Sequence, residues 1–261
     1  ALGYRLSPDS KVDVLEKYGE GIPLTVFQRA IDDSFIVALD KRTGAERWRV
    51  AREEIDTWAT PLIVEHQGRS QVIVGAMKRI VSYDLETGDV IWHSEGLTMN
   101  PIPSPVAANG FVYLTSGYRG NSLKAIRLDE AVGDITGTSA IAWSLDRDTP
   151  YVSSPLLYDE TLYILKSNSG ILSAFNAKSG APYYQVERLP DVPNVFASPV
   201  GAGGRVYVAG RDGTTLVLQH GPVFEVLATN VLNEGFDASP AVAGDELYLR
   251  GVRHLYSIGD S

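Results

Sequence analysis

Short runs of alternating apolar and polar residues recur along this chain at intervals of roughly 40–50 residues, the range in which propeller blades repeat. The clearest are Gln71–Val74, Phe111–Thr115, Thr161–Leu165, Arg205–Ala209 and Glu246–Arg250, all rich in β-branched and aromatic residues. Such alternation marks a half-buried strand. A short apolar stretch comes before, as in Pro105–Ala108 and Pro155–Tyr158, and turn pairs such as Asn109-Gly110 and Gly203-Gly204 connect the two. A third strand reads Val37-Ala38-Leu39-Asp40, Val81-Ser82-Tyr83-Asp84 and Ser173-Ala174-Phe175-Asn176. A turn follows, Thr43-Gly44, Thr87-Gly88 or Ser179-Gly180, and four residues past each glycine stands an aromatic: Trp48, Trp92 or Tyr184. Glycine supplies the positive φ of a tight turn, the hydroxyl bonds nearby backbone, and the aromatic is placed to pack on a neighbouring blade.

A Ser/Thr-Pro dipeptide opens each unit: Thr60-Pro61, Ser104-Pro105, Ser154-Pro155, Ser198-Pro199 and Ser239-Pro240. The pattern predicts an all-β fold, a β-propeller of four-stranded antiparallel blades, about six in this chain. One domain over 1–261 is expected, with units near 20–58, 59–101, 102–152, 153–196, 197–237 and 238–261. Unit three carries an insertion, Asp129 to Thr138, which lengthens its last hairpin before Trp143. Unit five turns at His220-Gly221-Pro222 with no Trp after it, and unit six stops after its third strand, His254–Ile258. Counted from Pro23, unit one is short, and its second strand is expected to be missing near Gln28–Ile31. Lys11–Leu15 is placed either to complete the last blade or to follow N-terminal blades absent from this sequence.

The Ala-Leu-Asp, Thr-Gly-x-x-x-Trp and Ser-Pro-x-x elements resemble the pyrroloquinoline-quinone-like propeller repeat, over roughly residues 20–258. Phe35–Val50, Ile102–Val106, Asp134–Thr138, Asn168–Leu172, Ala197–Val200 and Ala238–Tyr256 carry the likeness. That repeat builds quinoprotein dehydrogenases and the non-catalytic outer-membrane assembly lipoprotein of the BamB type. The resemblance implies seven or eight blades if N-terminal sequence is missing, and a periplasmic, secreted or cell-surface location. It identifies a fold more than an activity.

Composition narrows the chemistry. The 261 residues carry 23 Lys and Arg against 32 Asp and Glu, a formal charge of −9, which argues against nucleic acid as the main partner. No apolar run of about 18 residues exists to span a membrane as a helix. Cysteine is absent, so the vicinal Cys pair that clamps the quinone in related alcohol dehydrogenases cannot form. Asp129, Glu130 and Asp134 do not have the spacing of a calcium loop and read as a solvated outer hairpin. His66, His93, His220 and His254 lie in four different units without zinc-site spacing. The glycine-rich Gly201–Gly204 and Gly210–Gly213 introduce no helix and read as hairpin turns. No catalytic residue, metal site or cofactor is assigned.

Two sets of equivalent positions stand out. The turn after the second strand holds Lys78 and Arg79, then Arg119, Lys166, Arg211, and Arg250 with Arg253. Cations gathered at one channel mouth would draw an anion or an acidic partner. The segments before each Pro hold Trp58, Tyr151 and Phe196, aromatics of the type that anchors protein interfaces. The sequence thus points to a non-catalytic binding or scaffold propeller that engages a protein or anionic ligand through one channel face. The alternative is a divergent quinoprotein dehydrogenase.

Overall fold

The protein is described here by a computed structural model, which covers residues 12–15, 24–29, 34–55 and 57–259. No helix occurs among the described residues. The strands form six sheets, numbered here as blades in chain order. Blade one runs Val12–Leu15, Leu24–Arg29, Phe35–Asp40, Glu46–Ala51, and blade two Leu62–His66, Arg69–Val74, Arg79–Asp84, Val90–Glu95. Blade three is Val106–Ala108, Phe111–Ser116, Ser122–Arg127, Ile141–Leu145, and blade four Leu156–Tyr158, Thr161–Leu165, Ile171–Asn176, Pro182–Arg188. Blade five is Val200–Ala202, Arg205–Ala209, Thr214–Gln219, Val226–Val231, and blade six Ala241–Ala243, Glu246–Arg250, Leu255–Ile258. Antiparallel meanders of four strands are the blades of a β-propeller. The chain divides into two compact units, Ala1–Ala142 and Trp143–Ser261, the division falling inside the outer strand of blade three.

Blade one corrects the sequence reading. Val12–Leu15 is its first strand and pairs antiparallel with Leu24–Arg29, from Val12↔Arg29 to Leu15↔Val26. Leu24–Arg29 in turn pairs along its length with Phe35–Asp40. The blade therefore has its second strand. Counting from Pro23 misplaced the start, because that proline follows the first strand instead of preceding it. Val12–Leu15 belongs to the sheet of blade one, and among the described residues the sheet of blade six contains three strands. Of Gln28–Ile31, residues 30 and 31 lie outside the described residues.

The repeated turn has one construction. Asp40 Oδ1 accepts from the amides of Arg42 and Thr43 and from the Thr43 hydroxyl. Asp84 takes the amides of Glu86 and Thr87, and Asn176 takes the amide and hydroxyl of Ser179. Gly44, Gly88 and Gly180 sit at φ of 73°, 80° and 70°. The Arg47 guanidinium, together with the Thr43 amide and hydroxyl, holds the Asp40 carboxyl far below the usual range. In four blades the ladder between the last two strands then shifts register, for example between Ala38 and Leu39 and between Ser82 and Tyr83. Such a bulge increases local twist.

The aromatic after the turn joins one blade to the next. Trp48 Nε1 donates to the Leu85 carbonyl of blade two at 2.9 Å. Its ring lies where a Cβ on Gly88 would stand, 2.8 Å away. Trp143 repeats this in the second unit, donating to Ala177 O at 2.8 Å, and a Cβ on Gly180 would fall 2.6 Å from its ring. These glycines are thus required twice, for φ and for the neighbour's indole.

Trp92 departs from the pattern. Its Nε1 donates within the blade to Gln71 Oε1 at 3.0 Å, and the insertion covers it. Gly133–Asp134 pairs parallel with Trp92 and His93 as a fifth strand, and Ile135 is buried beside the indole. The segment read as a solvated hairpin therefore closes the outer edge of blade two, a common way of blunting an exposed strand.

The Ser/Thr-Pro junction is a second fastening. In the first unit the Thr60 amide donates to Ser104 Oγ; in the second, Ser154 N donates to Ser198 Oγ and Ser198 N to Ser239 Oγ. All five prolines are buried. Each immediately precedes a strand, where the missing N–H removes no ladder bond.

Gly88→Ala and Gly180→Ala are expected to cost about 2–4 kcal/mol, backbone strain plus overpacking against the indole. Gly68→Ala, at φ 76° with open space around it, is expected to cost only about 1 kcal/mol. Urea unfolding of the three variants checks this; equal losses would show that the indole contact contributes nothing.

Candidate functional site

The cation-bearing turns and the aromatic connectors, two separate sets in the sequence, are interleaved by backbone hydrogen bonds. In the first unit the turn 75–78 lies between two connectors. Thr57 Oγ1 donates to Gly75 O, the Lys78 amide donates to Glu54 Oε2, and the amides of Gly96 and Leu97 donate to Lys78 O and Ala76 O. A Cβ on Gly96 would fall 2.1 Å from Met77 O, so only glycine fits there. In the second unit Ser167 N donates to Thr149 O and Tyr151 N to Ser167 O, while Val195 N donates to Asn168 O on the other side. The turn 210–213 is held likewise: Arg211 N donates to Asn194 O, and the amides of Leu232 and Phe236 donate to Gly213 O and Gly210 O. Gly210–Gly213 is a hairpin turn, as its sequence context implied.

This interleaving sets the fate of each cation. In the second unit Lys166 Nζ pairs with Asp148 Oδ1 at 2.8 Å. Arg211 lies over the Phe196 ring at 3.9 Å and pairs with Asp237 at 2.5 Å, tying two connectors together. The Arg253 amide donates to Glu234, and Arg250 is exposed with no carboxylate in ion-pair distance among the described residues. In the first unit the Lys78 and Arg79 side chains are exposed. Arg119 is exposed at a positive φ of 49°, its guanidinium 5.5 Å from the Tyr118 ring.

The aromatics also divide. Trp58 is 39% exposed, with Met99 equally exposed on the next connector of the same unit and Ile55 more so. The Trp58 amide donates to Pro101 O, which links those connectors. Tyr151 is half-buried, and Phe196 is half-buried beneath Arg211. Phe236, at the corresponding place before blade six, is fully buried in the core of the second unit. The first unit thus presents Trp58, Met99 and Arg119 outward, while in the second Phe236 is buried, Tyr151 and Phe196 are half-buried and two cations are paired with carboxylates.

Sequence reasoning missed the connector carboxylates. Glu54 and Asp148 each stand six residues before a Ser/Thr-Pro, and that spacing was the available signal. Glu234 is another connector carboxylate, its side chain 4% exposed. It accepts from Tyr256 Oη at 2.5 Å, from the Arg253 amide at 2.7 Å and from His254 Nδ1 at 2.7 Å. The Tyr256 hydroxyl, then the Arg253 amide and His254, hold its carboxyl down at about 2. Gly251 makes room, since a Cβ there would meet Glu234 Cδ at 2.4 Å.

No three His, Cys, Asp or Glu side chains among the described residues are grouped to hold a metal ion. Each histidine instead faces one carboxylate: His66 with Asp129, His93 with Asp134, His220 with Asp159 and His254 with Glu234. With no cysteine in the chain, the vicinal Cys pair of a quinone clamp cannot form. No helix among the described residues is long and apolar enough to cross a membrane.

Meander blades, Ser/Thr-Pro junctions and the indole fastening define a pyrroloquinoline-quinone-like β-propeller repeat protein. The family described as outer membrane protein assembly factor BamB matches residues 32–258, and the chain belongs to it. An outer membrane protein assembly factor BamB from Francisella salina is 26% identical over 196 residues, 71% of this chain and 33% of that protein. The chain thus spans about a third of that relative's length. Among solved structures, the quinohemoprotein alcohol dehydrogenase of Comamonas testosteroni superposes with a TM-score of 0.56 at 13% identity, over 81% of this chain and 43% of that one. The computationally designed protein Ika8 superposes at 0.65 and 14% identity, over 95% and 71%. Both likenesses concern the fold.

A carboxyl held low in the folded state adds stability above its ordinary pKa, and that contribution fades as pH falls towards the folded value. Glu234→Gln is expected to lower the thermal midpoint at neutral pH and to flatten the loss of stability from pH 4.5 to about 2. Thermal melts across that range check it; parallel profiles for variant and wild type would refute the assignment.

Proposed function

We propose that this chain is a non-catalytic docking propeller of the bacterial envelope, acting in the periplasm or at the cell surface as part of a larger assembly. Both compact units belong to one propeller domain in this reading. The observation that carries it is the exposed Trp58, Met99 and Arg119 on the connector and turn face of the first unit, beside a framework that fixes the backbone from both sides. Rigid presentation of an aromatic and a cation reduces the entropy cost of association, and such residues dominate interface energetics. The partner is a protein of the outer-membrane assembly machinery, as the name of the curated relative suggests. Arg119 guides an acidic partner, whereas Lys166 and Arg211 serve mainly to brace the connectors.

A quinoprotein dehydrogenase has less support, because the vicinal Cys pair of the quinone clamp cannot form. Adding pyrroloquinoline quinone and calcium is expected to give no cofactor absorbance and no dye-linked oxidation of alcohols or sugars.

The docking reading is tested by affinity capture from the envelope fraction of the native organism. Trp58→Ala combined with Arg119→Glu is expected to reduce recovery of the co-purifying protein by about tenfold or more, since anchors of this type contribute about 1–2 kcal/mol or more each. The thermal midpoint should hold. Undiminished capture would overturn the proposal.

A further inference from the structure

Blades one and two are built alike, yet among the described residues only blade two has a further strand along its outer edge. The insertion does this with a short strand. Gly133 and Asp134 pair parallel with Trp92 and His93, the Ile135 amide donates to His93 O, and Thr136 Oγ1 accepts from the Glu95 amide. Asp134 Oδ1 stands 3.8 Å from His93 Nδ1, and Ile135 fills the seam towards blade three.

No described residue pairs as a strand along the same place on blade one. Trp48 and Trp92 occupy the same position after the turn glycine, so Arg49 corresponds to His93. The sheet order of blade one ends at Glu46–Ala51, with no further strand among the described residues. Beside this edge there is a groove of about 340 Å³, walled by Val50 and Ala51 on blade one and by Val81, Tyr83 and Val90 on blade two. Arg79 and His93 stand at its polar rim. Of the other charges nearby, Arg47 pairs with Asp40, and Arg49 pairs with Glu46 and lies over Phe35.

We infer that this groove and the outer edge of blade one form a docking site for an extended segment of a partner protein, one carrying an acidic residue followed by an apolar one. The occupant repeats what the insertion does one blade further on. It adds a parallel strand along Trp48 and Arg49, sets its carboxylate against Arg49, and buries the apolar side chain between Val50, Tyr83 and Val90. Backbone pairing supplies affinity, and the alternating side chains supply specificity. The basic rim favours the acidic residue. This site lies on the outer seam of the first unit and stands apart from the connector face proposed above.

The probe is a fluorescein-labelled peptide with the sequence of residues 131–138, Ala-Val-Gly-Asp-Ile-Thr-Gly-Thr, titrated with the full chain by fluorescence anisotropy. Saturable submillimolar binding is expected. Val90→Glu, at a half-exposed groove wall, or Arg49→Glu should weaken it about tenfold or more, the scale of one lost charge or anchor contact. Replacing the peptide's aspartate by lysine should do the same without touching the protein's folding. Arg119→Glu should leave binding unchanged, which separates this site from the connector face. Absence of saturable binding, or affinity unchanged by Val90→Glu, Arg49→Glu and the lysine peptide, would overturn the inference.

Discussion

An indole N–H that reaches across to a carbonyl of the following blade is the interaction on which this architecture depends. A four-stranded blade has two faces and a small core of its own, so its stability comes from covering those faces with its neighbours. Trp48 and Trp143 do this with a large apolar ring and one directed hydrogen bond. The bond fixes position, and the ring supplies area; truncating a buried Trp typically costs about 3–5 kcal/mol. The partner turn is shaped to match, because Gly88 and Gly180 leave no Cβ in the way. Turn, glycine and tryptophan are one device distributed over two blades.

The connector face follows from the same economy of space. Each connector passes so close to the adjoining turns that glycines are needed at 96, 213, 235 and 251, where a Cβ would lie within about 2.5 Å of another atom. Backbone amides and carbonyls buried by that approach must find partners, and they find them in the facing strand of chain. Carboxylates such as Glu54 and Glu234 take up the remaining amides. The cations beside them then meet these acids and their neighbours, which is why Lys166 and Arg211 are neutralised locally. Charge left uncompensated, and aromatic surface left uncovered, mark where the face can still bind something else.

Much of this could be read in the residues. Strand alternation, the Asp/Asn-capped turn and the Ser/Thr-Pro interval located blades two to six, because each rests on local backbone chemistry. The reading failed at blade one, where Pro23 imitates the repeat without occupying its place; in the insertion Asp129, Glu130 and Asp134 are exposed as expected, but the pairing of Gly133–Asp134 and the burial of Ile135 were not legible. Of the candidate site, the positions Trp58 and Arg119 were legible as members of a repeated register. That Phe196 would lie under Arg211, and that Asp237 would hold that guanidinium, was not, since those residues are separated along the chain by 15 and 26 positions.

The sequence by itself determined the strand repeat, the turn chemistry, the absence of thiols and the net negative charge, all properties of single residues or short windows. The tertiary structure decided which cations are paired, which aromatics are exposed and which blade edge is closed. Those outcomes depend on how closely connector, turn and neighbouring blade approach. That distance is set by side chains far apart in the chain meeting in one place, so no local pattern carries it.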